Sequence, residues 1–172
     1  MKNLFDQTSY AISQLVTNKY STSFSMAVKL LAPKIRSHIY NIYGFVRFAD
    51  EIVDSFHGFN KKYLLDKFET DYYQSMEDGI SLNPVLNAFP QTVKTCSIDD
   101  HLVQSFLQSM KRDLSQSEYD TYEDYKEYIY GSADVVGLMC LKVFVEGNEQ
   151  KYQELKPYAE KLGSAFQKVN FL

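Results

Sequence analysis

Apolar residues recur along this chain at spacings of three and four, the pattern of helices that each bury one face. The first such stretch covers Phe5 to Asn18, with Phe5, Ile12, Leu15 and Val16 as its apolar positions. A second runs from Ser21 to Leu31, and Pro33 stands at the favoured first-turn position of a third. The third extends to about Phe56 and stops at Gly58. Lys61 to Met76 reads as a fourth helix, closed by Asp78-Gly79, and Ser81-Leu82-Asn83-Pro84 links it to a short helix that Pro90 interrupts or ends. Asp99 to Leu114 follows, capped by Ser97 or Asp99. Thr121 to Val145 reads as one long helix with Gly147 at its exit. Glu149 to Leu172 is the last, broken or restarted at Pro157. No repeat or boundary divides the pattern, so the expectation is one all-α domain over residues 1–172.

The third helix carries two stripes. Ile35, Ile39, Ile42, Val46, Ala49, Val53 and Phe56 form a core-facing seam. Displaced by about 100° lies a polar row of Arg36, Tyr40, Tyr43, Arg47, Asp50 and Asp54. A polar row beside a seam is commonly a solvated flank with weak ion pairs. This one combines a phenol, a guanidinium and two carboxylates four residues apart, about 5–6 Å at Cβ. Two such aspartates repel unless a cation lies near them, and hard oxygen ligands suit Mg²⁺ held together with substrate phosphates. Arg47 is placed to pair with Asp50 in the empty site and to turn to a phosphate oxyanion in the filled one. Glu51 lies off the row.

Composition narrows the reading. The 172 residues are 45% hydrophobic and 23% charged, a folded protein's balance, and the net charge of −4 argues against nucleic acid as a partner. There is no run long enough for a membrane span and no signal peptide, so the sequence reading is cytoplasmic, with peripheral membrane contact left open. Cys96 and Cys140 are isolated and read as reduced thiols. Fourteen tyrosines and twelve phenylalanines without a tryptophan fill a core or line an apolar cavity. His38, His57 and His101 are scattered, and Tyr119, Tyr122, Tyr125 and Tyr128 read as cover for a helix surface.

Four blocks then resemble the squalene/phytoene synthase family. They are Tyr20-Ser21-Thr22-Ser23-Phe24-Ser25, Ile42 through Asp54, Tyr130 through Met139, and Leu162 through Leu172, in family order and with family-like separations. The resemblance implies the all-α isoprenoid-synthase fold, a helical bundle around a central hydrophobic cavity. It also implies Mg²⁺-dependent head-to-head condensation of two prenyl diphosphates through a cyclopropylcarbinyl diphosphate. By the same resemblance Asp50 and Asp54 hold Mg²⁺ on diphosphate, with Arg47 and Tyr43 beside them. Ser21, Ser23 and Phe24 match the block at the pocket mouth, Tyr130 the tyrosine of the long helix, and Gln167 and Asn170 polar residues before a second aspartate-rich motif. Asp113 matches a family aspartate, and an ordinary late-helix acid is the equal alternative.

Two departures qualify this. The chain stops just before the place where the family continues with Arg-Asp and a further aspartate, so the expectation is the N-terminal portion of a domain, inactive by itself. Asp134 stands where the family has a small residue, and a buried aspartate needs a partner or solvent. The leading expectation is a phytoene synthase-like prenyltransferase joining two geranylgeranyl diphosphates in carotenoid biosynthesis. The alternatives are squalene or dehydrosqualene formation from farnesyl diphosphate, with NADPH needed only for squalene, and a non-catalytic helical protein that binds prenyl lipid. Product chain length and oligomeric state stay open at this level.

Overall fold

In a computed structural model, which describes residues 2–115 and 121–170 and the side chains up to Lys168, every regular element is helical. Four helices form the first half: α1 (Lys2–Tyr20), α2 (Thr22–Leu30), α3 (Pro33–Asp54) and α4 (Lys61–Asp78). Then come α5 (Pro84–Thr95), α6 (Asp100–Asp113), α7 (Tyr122–Ile129), a π turn (Tyr130–Asp134), α8 (Val135–Phe144) and α9 (Glu149–Asn170). Side chains start several of them. Ser21, Asn60, Asn83 and Thr121 each accept backbone N–H bonds in the first turn of α2, α4, α5 and α7. Gly79 ends α4 at φ +71°, a conformation open to glycine at little cost.

α3 is the central strut. Ile39, Tyr40, Asn41, Ile42, Gly44, Phe45, Ala49 and Ile52 are buried around its whole circumference, because α1, α2, α4, α5, α6 and α8 all pack on it. The expected seam is therefore only one of its buried faces. Phe45 and Ile52, outside that seam, face the aromatic core, where Phe45 stacks on Phe89 at 4.1 Å between centroids. Phe56, at the end of the seam, is exposed.

α1 overturns its apolar reading. Its buried residues are Ser9, Ser13 and Thr17, while Leu15 is exposed. Small side chains let α1 approach α3 closely, with Ser13 lying against Gly44, and polar groups join α1 to α5. Asn87 donates to Asp6 at 2.9 Å and to Ser9 at 3.1 Å, Gln91 donates to Asp6 at 3.0 Å, and Tyr10 donates to Gln91. These bonds satisfy Asp6, Ser9 and Tyr10, while the Ser13 hydroxyl, buried against Gly44, is left without a partner among the described residues.

Neither interior proline ends its helix. α5 runs through Pro90 to Thr95, and α9 runs through Pro157 to Asn170. Eight of the twelve α5 residues are buried against α1, α3 and α4, and that packing outweighs the lost backbone bond. The expected Thr121–Val145 helix is continuous in direction but carries the π turn, in which the Val135 N–H reaches back to the Tyr130 carbonyl. Glycines pin it on two sides. A Cβ on Gly131 would stand 1.9 Å from Ser109 Oγ of α6, and one on Gly163 of α9 would stand 2.9 Å from the Ala133 carbonyl oxygen. Among the described residues no helix is long and apolar enough to cross a membrane.

Candidate diphosphate and prenyl-chain site

A cavity of about 630 Å³ lies between α2, α3, α8 and α9, and its wall is almost wholly apolar. Phe24, Val28 and Leu31 line it from α2, and Ile39 and Val46 from α3. Ala133, Val136 and Cys140 face them, with Leu155, Leu162, Phe166 and Gln167 from α9. Ser132 and Gln167 are the polar side chains of its wall, together with the phenol of Tyr158 and the thiol of Cys140. Burial pushes that thiol up to about 12, so it stays a neutral apolar group.

The carboxylates of the polar row lie beyond the cavity wall, Asp50 one turn past Val46. Asp50 is half-buried, and its carboxyl is pushed up to about 7, chiefly by loss of water and next by the nearby negative charge of Asp54. Asp113, at the end of α6, adds to the same repulsion. Asp54 is exposed. Among the described residues no cluster of three or more His, Cys, Asp or Glu surrounds a metal position. What this chain offers is a pair of hard oxygen ligands in net negative surroundings, one of them held back from ionising by burial first and by its neighbour second. That donor set fits Mg²⁺, which keeps waters and phosphate oxygens as its remaining ligands.

Arg47 does not pair with Asp50 as its place in the row suggests. It donates to Glu51 at 2.6 Å, one turn on, and its guanidinium lies 4.6 Å from the centre of the Tyr20 ring. The i, i+4 spacing stacks Arg47 on Glu51, and the pairing holds the Glu51 carboxyl below the usual range. Tyr43 stacks on Phe24 at 4.9 Å. Its phenol is pushed up by burial, while Arg47 and the Ser21 hydroxyl pull the other way. Thus Ser21, Phe24, Tyr43, Arg47 and Asp50 come together. The Ser21 hydroxyl also caps α2, accepting the Phe24 N–H at 3.2 Å, and Ser23 is exposed in the same first turn.

Tyr130 is placed elsewhere. In an unbroken helix it would share a face with Ala133 and Gly137, but the additional residue in the π turn rotates the preceding segment. Tyr130 lies outside the cavity wall, and its charged neighbours are Glu160 and Asp134. Tyr128, two residues earlier, is the tyrosine tied to Asp113 and to Gln167 of the cavity wall. It is buried, donates to Asp113 at 3.1 Å, and accepts a long bond of 3.5 Å from Gln167. Reading the tyrosine repeat as surface cover missed this residue, and only the π turn distinguishes it from its neighbours. Asp134 is buried and has its partner: Ser164 donates to its two oxygens at 2.8 and 3.0 Å. Asn170 and Tyr119 lie outside the described side chains.

Known proteins resemble this chain in sequence and in fold. A profile of the squalene/phytoene synthase family matches residues 17–172. The phytoene synthase of Pseudescherichia vulneris is 30% identical over 159 residues, which are 87% of this chain and 50% of that protein. Chloroplastic phytoene synthase 1 of Solanum lycopersicum is 29% identical over 163 residues, covering 91% of this chain and 39% of the relative. The chain spans half or less of the length of these relatives. Among solved structures, a dehydrosqualene synthase in complex with a ligand matches at TM-score 0.82 and 24% identity, over 96% of this chain and 56% of that one. A squalene synthase from Alicyclobacillus acidocaldarius matches at TM-score 0.81, also at 24% identity, over 96% of this chain and 60% of that one. Those likenesses show the all-α isoprenoid-synthase fold. With the profile spanning all but the first sixteen residues, the chain belongs to the squalene/phytoene synthase family.

Proposed function

We propose that this chain carries the first half of a prenyl-diphosphate condensation site and that its substrate is geranylgeranyl diphosphate, giving phytoene. The observation that carries the reading is the juxtaposition of the Tyr43–Arg47–Asp50–Asp54 row with the apolar cavity. One ligand has to satisfy both, and a prenyl diphosphate is charged at one end and apolar along the rest. The C20 choice rests on the phytoene synthases among the relatives.

Asp50 and Asp54 would hold the Mg²⁺ that accompanies the diphosphate. The chemistry a bound Mg²⁺ supplies is neutralisation of the departing diphosphate, so that an allylic C–O bond ionises near neutral pH. Arg47 exchanges Glu51 for a diphosphate oxygen and adds charge stabilisation, a fixed donor aimed where negative charge grows. Phe24, stacked on Tyr43, presents a π face at the mouth and helps exclude water from a cationic chain. Residues 1–172 supply one aspartate pair, and by themselves they bind substrate without turning it over.

The test has two parts. Calorimetry should give Mg²⁺-dependent binding of geranylgeranyl diphosphate to the wild-type chain, and Asp50→Asn or Asp54→Asn should remove the Mg²⁺ dependence. Retention of that dependence in both variants sinks the metal assignment. A chimera joining residues 1–172 to the remaining half of the Pseudescherichia vulneris enzyme, given C15 and C20 diphosphates separately, should release a C40 hydrocarbon from the C20 substrate. A C30 product alone overturns the phytoene reading.

A further inference from the structure

The Ser132 hydroxyl is buried without a hydrogen-bond partner among the described residues, although the rest of the residue lies in the cavity wall. A helical serine ordinarily returns its hydroxyl to a carbonyl one turn back. Here the π turn changes which carbonyls lie one turn back, and no such bond forms. Its position is specific. Ser132 stands in the row Tyr128–Ser132–Val136–Cys140, one turn below the phenol that donates to Asp113 and above the wholly apolar stretch of the wall. The turn has little freedom to shift, because Gly131 abuts Ser109 and Gly163 abuts Ala133 and Asp134.

We propose that Ser132 is a specificity-determining residue that reads the polar head of the ligand. In the empty chain its hydroxyl is closed off in apolar surroundings, an arrangement that costs free energy until a partner is found. One step of χ1 between staggered positions swings the hydroxyl into the cavity, where it donates to an oxygen of the diphosphate ester. The bond exists only in the complex, so it favours a diphosphate-bearing chain over the same chain without a head group. This rests on the prenyl-diphosphate reading of the cavity given above.

Binding to the 172-residue chain, measured by calorimetry with Mg²⁺ present, separates the possibilities. The probes are geranylgeranyl diphosphate and a C20 hydrocarbon with no head group. Ser132→Ala should weaken the diphosphate about tenfold, the range for a hydrogen bond to a charged group, and leave the hydrocarbon unchanged. Ser132→Thr should restore the diphosphate affinity. The melting temperature of Ser132→Ala should not fall, since the lost hydroxyl has no partner in the empty chain. Equal diphosphate affinity in wild type and Ser132→Ala overturns the proposal, and so does a parallel loss of both probes, which marks a packing effect. Should the wild-type chain bind the hydrocarbon and not the diphosphate, the reading of the cavity fails first and this inference with it.

Discussion

At the scale of single residues, Asp50 has the strongest consequence for pH. Its folded-state value of about 7 lies above the 3.8 of a free aspartic acid, so between those values the folded chain holds a proton that the unfolded chain has lost. Stability of the metal-free protein therefore falls as pH rises from about 4 to about 7, by at most about 1.4 kcal/mol per unit from this group. Above pH 7 the stabilisation is gone, because the ionised carboxylate is then buried beside Asp54. Asp50→Asn should flatten that part of the stability–pH curve and melt higher than wild type at pH 8 in a chelating buffer. A wild-type curve that does not decline between pH 4 and 7 would contradict the repulsion described for this pair. Charge type and spacing made Asp50, Asp54 and Tyr43 legible in the sequence. The partner of Arg47 was not, because Asp50 and Glu51 are both within reach on a helix, and the Tyr20 ring from α1 completes the Glu51 side.

At the scale of elements, the π turn decides what faces what. Apolar periodicity placed the helices well, since their ends follow from caps and glycines that chemistry specifies locally. It could not reveal one additional residue in a turn, which arises from backbones meeting at Gly131 and Gly163. That turn sets the place of Tyr130, outside the cavity wall, and of Tyr128, which is buried where surface cover was expected. Gly163→Ala should cost about 1–3 kcal/mol in a denaturant titration, because the obstructing atoms, the Ala133 carbonyl oxygen and the Asp134 Cα at 2.9 Å, are backbone. Gly131→Ala should be recovered only in part by Ser109→Ala. The second substitution removes the 1.9 Å conflict with Ser109 Oγ and leaves the Ser105 carbonyl oxygen at 2.9 Å. Complete recovery would mean that α6 shifts freely against the π turn. Likewise Pro90 and Pro157 misled because their effect on a helix is local, whereas the packing that holds α5 and α9 together comes from distant parts of the chain.

For the whole molecule, the apolar cavity and the carboxylate row form one amphipathic site whose two parts can be separated by mutation. Cys140→Phe places a ring within the cavity, far from Asp50, and the neutral thiol it replaces carries no charge there. It should raise the dissociation constant of an apolar fluorescent probe at least tenfold while leaving Mg²⁺-dependent binding of inorganic diphosphate unchanged. Loss of both would show that the two halves do not separate. The cavity was expected from the family resemblance; among the chain's own features only the abundance of aromatic residues hinted at it, and an ordinary core explains that better. Its walls come from four helices spread between Phe24 and Gln167, and no local pattern encodes that convergence.

The polar inner face of α1 bears on how the protein opens. None of the cavity-lining residues belongs to α1, and the helix is fastened by directional bonds from Asn87 and Gln91 and by small-residue contact more than by large apolar side chains. Were that fastening to open, α1 would leave the fold as a unit. Tyr20, at its end, is the ring over the Arg47 guanidinium. Detachment of α1 would thus take the Tyr20 ring off Arg47 and leave the arginine its ion pair with Glu51, while the walls of the cavity stayed closed, so that any opening of the first helix would reach the charged half of the site alone.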